Sequence, residues 1–255
     1  MASGIEWSVA GKSDRGCVRR NNEDSLAIDR ELGLLAVADG MGGHNSGEVA
    51  SRIATRTLLK LGRSTSGQAG GPSRRLEGLV RAANAAILEK SRTSPRNKGM
   101  GTTLVAALIE GTEAAVAHVG DSRFYLFRGG ALRALTEDHS LVAEQVKSGL
   151  ITPEEAERSD MRNILLRALG TEADVRVDVR SQALIPGDVL LLCTDGLNRM
   201  VSDGGIARAL QESADPRACC ERLVREAREA GGRDNVTVVV ARIIGRGSGE
   251  GRARR

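Results

Sequence analysis

Aromatic side chains are nearly missing from this chain of 255 residues: Trp7, Phe124, Tyr125 and Phe127 are the whole set. That scarcity argues against base-stacking platforms for nucleic acid and leaves Leu, Val, Ile and Ala to build the core. Cysteine is scarce too. Cys17, Cys193, Cys219 and Cys220 show no C-x-x-C spacing, and the vicinal pair falls in a helical pattern, so neither a zinc site nor a disulfide framework is indicated. A signal-peptide core is lacking at the start, and no apolar run reaches membrane-spanning length. A cytoplasmic chain without membrane association is therefore expected. Charge of one sign is not concentrated either. Lys and Arg number 37 against 33 Asp and Glu, and outside residues 246–255 the basic groups are dispersed, which reads as solvated surface and not as a nucleic-acid partner.

What is present suits one large domain, with 40% apolar and 27% charged residues. Residues 5–10 and 33–38 read as strands. Asn45 with Glu48 forms a capping-box pattern, opening a helix to about residue 60 whose apolar face is Ala50, Ile53, Ala54, Leu58 and Leu61. The Gly/Ser-rich stretch 62–73 predicts a surface loop, followed by a helix over about 76–91 and a polar loop over 91–98. Strands are expected over 103–109, 114–119 and 123–127, with a hairpin turn at Gly129-Gly130. A helix over 140–148 stops at Gly149, and Thr152-Pro153-Glu154-Glu155 starts another. Val175, Val177 and Val179 alternate as in a half-buried strand; 189–193 and 236–244 are apolar strands, and Asp215-Pro216 opens a helix to about residue 230. Beyond residue 244 a Gly/Arg-rich tail reads as disordered. Strands in hairpin succession and helices in separate blocks give an α+β fold of antiparallel sheets covered by helices.

The chemistry sits in acidic residues at the ends of these apolar runs: Asn22-Glu23-Asp24, Asp39-Gly40-Met41-Gly42-Gly43, Gly120-Asp121-Ser122-Arg123, Thr194-Asp195-Gly196 and Arg233-Asp234-Asn235. Carboxylates gathered into one cleft repel each other unless a cation compensates them. Ligation by carboxylate and carbonyl oxygen suits a hard ion, Mg2+ or Mn2+. Taken singly, each Asp-Gly pair is an ordinary turn signature, and Gly40, Gly42 and Gly43 could simply allow positive φ.

Taken together they read otherwise. R-x-x-x-E-D (Arg19, Glu23, Asp24), D-G-M-G-G-H (residues 39–44), G-T-T (101–103), G-D-S-R (120–123), T-x-D-H-S (136–140), T-D-G-L (194–197) and R-D-N-V-T (233–237) stand in an order and spacing that resembles the metal-dependent serine/threonine protein phosphatases of type 2C, above all their compact bacterial members. The resemblance covers residues 3–244. It implies a four-layer α-β-β-α sandwich with a metal centre at one end, a catalytic domain over 3–244 with a flap at about 141–166 beside the site, and a tail over 245–255. It further implies that Asp39 bridges two Mn2+ or Mg2+ ions, that the Gly40 carbonyl binds one of them, and that Asp195 and Asp234 complete the other's shell. Asp121 with Asp195 matches a third ion site. Glu23 and Asp24 match residues that hold water around the ions, and Arg19 matches the clamp on the substrate phosphate. The implied reaction is in-line attack by a metal-bridging hydroxide on phosphoserine or phosphothreonine of a protein, in a monomeric enzyme opposing a bacterial Ser/Thr kinase or acting on its targets. A phosphoprotein-binding module without catalysis would be expected to lack one of Asp39, Asp195 and Asp234, and all three are present.

One position departs. Where many eukaryotic relatives carry a His, here stands Met41, so leaving-group protonation falls to His44 or to a metal-bound water, of which water is favoured. Other residues have plainer readings. His118, inside an apolar strand, reads as a packed core residue, and Asp138 and His139 as orienting a turn and a helix start. Cys193 to Arg199 has the C-x5-R spacing of cysteine-dependent phosphatases, but Asp195 inside the loop would oppose a thiolate, so Cys193 reads as core.

Overall fold

The computed structural model describes residues 5–42, 46–65, 70–93 and 95–246. In chain order the elements are β1 (Ile5–Asp14), β2 (Asp24–Asp29), β3 (Leu34–Met41), α1 (Ser46–Ser64), α2 (Gly71–Thr93), β4 (Gly101–Thr102), β5 (Leu104–Glu110), β6 (Glu113–Val119), β7 (Arg123–Arg128) and β8 (Ala131–Ala134). There follow α3 (Leu141–Lys147), α4 (Pro153–Arg158), β9 (Asp178–Ala183), β10 (Val189–Cys193), α5 (Asp195–Asn198), α6 (Asp203–Glu212), α7 (Pro216–Glu229) and β11 (Val236–Arg246).

Two antiparallel sheets result. One runs β1-β11-β10-β7-β8; the other runs β2-β3-β5-β6-β9, with β4 paired to β3. The strand period of two sorts their side chains into three apolar layers. Leu35, Val37, Val105 and Ala107 meet Phe124, Leu126, Leu190, Leu192 and Val239 between the sheets. Their sequence neighbours Leu34, Ala36, Leu104 and Ala106 face outward onto Ala54, Leu58, Val80 and Ile87 of α1 and α2. Tyr125, Leu191, Cys193 and Val238 face the other way, onto Ile206, Leu210, Cys219 and Leu223 of α6 and α7. Both faces of each sheet are covered, which explains near-continuous apolar strands such as Val189–Cys193. This is the four-layer α-β-β-α sandwich, with small aliphatics filling it in place of aromatics.

Several boundaries differ from the sequence reading. The loop expected over 62–73 is shorter at both ends, since α1 runs to Ser64 and α2 begins at Gly71, while 66–69 lie outside the described residues. Packing overrides the glycine there, since a side chain at Gly62 would meet Leu32, Leu34 and Leu79. The strand expected at Val175 begins only at Asp178. β6 ends at Val119, one residue past the His118–Asp178 pair, so Val175 and Arg176 lie beyond the strand they would bond. Val175, Val177 and Val179 still turn to the same core, so their alternation reported a face and not a ladder. The last strand also runs past the expected boundary, with Gly245 and Arg246 paired to Glu6 and Ile5. The capping residue Asn45 lies outside the described residues, whereas the Thr152 capping box and the Pro216 start appear as expected. Among the described residues no helix is long and apolar enough to cross a membrane.

Candidate metal centre

Antiparallel pairing brings the acidic residues to one end of the sandwich. The start of β2 lies beside the end of β3, so Asp24 is the register partner of Asp39. The end of β10 lies beside the start of β11 (Cys193 opposite Val238), which brings Asp195 and Asp234 together from the two flanking connections. Asp121 sits in the turn from β6 to β7. The charges of Asp24, Asp121, Asp195 and Asp234 all act on Asp39, and Asp195 and Asp234 act on Asp24, so the five carboxyl groups share one neighbourhood.

The strings that marked the sequence hold each other in place. Thr103 accepts the Asp39 N–H on its hydroxyl at 3.0 Å, and the Asp39 carbonyl accepts from the Thr103 N–H at 2.9 Å and the Thr102 hydroxyl at 2.8 Å. The Thr103 hydroxyl in turn meets Ser122 Oγ at 2.7 Å, tying G-T-T to G-D-S-R. Asp24 Oδ2 accepts from Thr237 at 2.7 Å and Thr194 at 2.9 Å, so R-D-N-V-T and T-D-G-L both anchor it. Asn235 accepts the Glu23 N–H at 2.8 Å and donates to the carbonyls of Asn21 and Arg15. Arg123 forks onto Asp138 at 2.9 and 2.8 Å. These hydroxyl, amide and guanidinium partners were not singled out by the sequence reading, although they belong to the same strings.

Two glycines are required by close approach. A Cβ on Gly40 would come 2.1 Å from the Gly47 carbonyl, so this residue lets β3 press against the first turn of α1. Among the described residues of that loop positive φ falls at Gly42, at +153°. A Cβ on Gly196 would come 1.9 Å from the Asn235 carbonyl. Asp195-Gly196 is accordingly the first turn of α5 and not a free turn, with Thr194 at the N-cap position and its hydroxyl turned to Asp24 and the Thr237 N–H instead of capping.

The remaining expected site residues are distributed around this cluster. Glu23 Oε1 accepts from Asn21 at 3.1 Å while its other oxygen lies against Gly47. Arg19 Nη2 donates to Asp234 Oδ2 at 2.6 Å and feels the charges of Asp39 and Asp195. Met41 folds over Gly101, its Cε 2.7 Å from where a Cβ would stand. His44 lies outside the described residues.

The electrostatics ask for a cation. Burial first, and then the neighbouring carboxylates, push Asp39 well above its ordinary value and Asp24 up to about 7. Asp121 also rises to about 7, from burial and then Asp195, against the lowering pull of Arg199. Asp195 is raised by burial, again against Arg199. Asp24 Oδ1 and Asp195 Oδ1 are buried without a hydrogen-bond partner. Among the described residues the cations that meet these five carboxyl groups are Arg19 and Arg199. An all-oxygen set with unmatched negative charge and two orphaned buried oxygens fits hard divalent ions.

Comparison with known proteins decides the family. A family model described as Protein phosphatase 2C matches residues 17–235. The chain belongs to the protein phosphatase 2C family. It is 44% identical over 238 residues to the serine/threonine protein phosphatase PstP of Mycobacterium tuberculosis, covering 92% of this chain and 45% of PstP, and so spans about half the length of that relative. With the Listeria monocytogenes serine/threonine phosphatase stp it shares 38% identity over 234 residues, 90% of this chain and 93% of the relative. A crystal structure of the PstP catalytic domain in complex with two manganese ions superposes with a TM-score of 0.85 at 42% identity, covering 93% of this chain and 98% of that one.

Within this protein phosphatase 2C chain the thiol alternative fails on geometry. Cys193 is fully buried, and burial pushes its thiol up to about 12, so no thiolate nucleophile is available there. His118, His139 and Asp178 form a second group whose ligand atoms lie within 4.8 Å of one another. Its members are already partnered. His118 Nε2 bonds the Glu137 carbonyl at 2.9 Å, His139 Nδ1 accepts the Gly120 N–H at 3.2 Å, and Asp178 meets Arg167 at 3.0 Å. His118 and Asp138 are thus packed and orienting residues, as their sequence settings implied.

Proposed function

We propose that this chain is a serine/threonine protein phosphatase dependent on Mn2+ or Mg2+. The observation that carries the reading is the buried carboxylate cluster with its orphaned Asp24 and Asp195 oxygens, set beside the exposed guanidinium of Arg19. In this reading Asp39, the Gly40 carbonyl, Asp195 and Asp234 hold two ions, Asp121 with Asp195 offers a third position, and Glu23 and Asp24 order water around them. Bound divalent ions supply charge neutralisation toward the phosphate and lower the pKa of water.

The chain's own residues do the rest. Asp24, fixed by two threonine hydroxyls on one oxygen, keeps the other free of protein partners to hold a solvent molecule. Arg19 exchanges its contact with Asp234 for the substrate phosphate, whose oxygens match the guanidinium fork. That exchange would free the Asp234 oxygen that Arg19 now holds at 2.6 Å. The flap over 141–166, carrying α3 and α4, borders this cleft and contacts the protein part of the substrate, within a catalytic domain spanning 3–244. A phosphorylated protein in a pathway run by a Ser/Thr kinase is the substrate class, acted on by a monomer, and four free cysteines fit a reducing cytoplasmic setting.

Turnover of a phosphothreonine peptide in Mn2+, and its loss on chelation, tests the proposal. Metal-independent turnover abolished by Cys193→Ser would overturn it.

A further inference from the structure

Arg199 is the end of the C-x5-R string and has no task once Cys193 is assigned to the core. One turn of helix sets its place. α5 begins at Asp195, and the Arg199 N–H donates to the Asp195 carbonyl at 3.0 Å, so the two side chains share a face at the i,i+4 spacing. From there the guanidinium reaches in two directions. Nη2 lies 3.0 Å from Asp121 Oδ2 and 3.0 Å from Asp195 Oδ2. The same group donates to the Arg162 carbonyl at 3.3 Å, and Nη1 donates to Asn163 Oδ1. Arg162 and Asn163 belong to the segment read as the flap, whose neighbours Met161 and Ile164 are exposed apolar residues and add little buried contact of their own.

A single nitrogen therefore stands between the two carboxylate oxygens. An ion ligated by both would have to lie between the same oxygens, at the roughly 2.0–2.1 Å that Mg2+ requires. The guanidinium cannot share that position, for reasons of space and of like charge.

We propose that Arg199 is a resident cation of the Asp121–Asp195 pair: it positions both carboxylates and holds the flap down through Arg162 and Asn163, and a divalent ion enters between them only by displacing it. Flap position and ion occupancy are then coupled through one side chain, and the coupling is reciprocal, so that loosening the flap tightens the ion. The ion half rests on the phosphatase reading; the strap half stands on the contacts alone.

The test uses the full chain in two arms. In chelator, hydrogen exchange of peptides covering 159–166 should rise several-fold in Arg199→Ala over wild type. In Mn2+ titrations by calorimetry, two tight ions should be unchanged in the variant while a weaker third step tightens by about tenfold, a typical coupling. Arg199→Lys separates positioning from simple packing, because an ammonium keeps the charge but cannot span both partners. It should show fast flap exchange with a third step as weak as in wild type. Unchanged exchange in chelator overturns the strap, and an unchanged or weakened third step in Arg199→Ala overturns the resident cation. Failure of wild type and variant alike to bind any Mn2+ would sink the phosphatase reading instead, and the chelator arm would still decide the strap.

Discussion

Two clusters of titratable side chains lie near each other at this end of the sandwich, joined through Gly120-Asp121, and they are built on opposite principles. In the His118–His139–Asp178 group every charge or lone pair named above has a protein partner: a carbonyl, a backbone N–H, or the guanidinium of Arg167. The two rings stack at 4.5 Å between centroids, and burial followed by the charges of His118 and Arg167 drives His139 down to about 4, so it stays neutral. In the carboxylate cluster negative charge exceeds what Arg19 and Arg199 offer, and two buried oxygens have no partner. Proximity of ligand atoms alone favours the histidine group. Satisfaction favours the carboxylates. A folded chain leaves buried polar atoms unpaired only at a cost of about 1–3 kcal/mol each, so the cluster that carries this cost is the one kept for a ligand.

The largest effect should come from breaking the cluster that is short of positive charge. Asp195→Asn removes charge from the site shared by two proposed ions, and turnover of a phosphothreonine peptide should fall at least ~100-fold, beyond the usual loss for residues that only support a metal ligand. Calorimetry should show fewer bound Mn2+ with the fold intact by circular dichroism; near-wild-type turnover would remove Asp195 from the site. Next is the pH signature of metal removal. Asp24 and Asp121 rise from 3.8 to about 7 on folding, so the folded chain holds more protons than the unfolded one across that interval. Their contribution is fully present below about 3.8 and lost as pH climbs through about 7. Mn2+ replaces those protons, so the gap in Tm between Mn2+-loaded and chelated protein should widen steadily from about pH 4 to 7. A gap independent of pH would mean that the carboxylates are not where the ions bind.

The histidine group carries the opposite sign. His139 falls from 6.5 to about 4 on folding, so its contribution is present above 6.5 and lost as pH falls through about 4. His139→Gln should cost about 1–3 kcal/mol by denaturant unfolding at neutral pH, for the lost partner of the Gly120 N–H. It should also flatten the acid limb of the stability profile and leave Mn2+ stoichiometry unchanged. Loss of a bound ion in that variant would reverse the comparison between the clusters.

Much of this arrangement was legible before any coordinates, and the parts that were not have physical reasons. Carboxylates at the ends of apolar runs could be gathered on paper because uncompensated negative charge implies a shared cation, although the β2–β3 pairing that sets Asp24 beside Asp39 was not foreseen. The apolar strands declared themselves through continuous burial. β8 did not, since its burial pattern has no fully buried position, and β2 is six residues joined to the acidic string at Asp24. α6 has no expected counterpart, and Gly204-Gly205 in its first turn are weak helix formers; there Ser202 caps the helix, and Ile206, Ala209 and Leu210 hold it by packing. The supporting hydroxyls escaped for a different reason. Thr103, Thr194 and Thr237 bond partners as far as 224 residues away in sequence, and no local spacing reports such contacts. Gly196 looked like half of an Asp-Gly turn because only the folded chain brings the Asn235 carbonyl against it.

The smallest expected effect tests the one residue whose sequence setting suggested a rival chemistry. Cys193 and Asp195 are two residues apart and separated by the end of β10, yet they belong to different worlds. Cys193 packs among Leu197, Tyr125 and Val238 in the layer beneath α6 and α7, while Asp195, though also buried, joins Arg199 and the carboxylate cluster. Replacing the thiol by a hydroxyl keeps the volume but puts a stronger polar group into an apolar layer. Cys193→Ser should therefore lower stability, by about 1–3 kcal/mol on mutational scales for a buried hydroxyl without a partner. Mn2+-dependent turnover should stay within about twofold, since no term of the metal chemistry passes through the sulfur. Stability lost with kcat retained separates core from cleft across those two residues. A fall in kcat with stability unchanged would join them again.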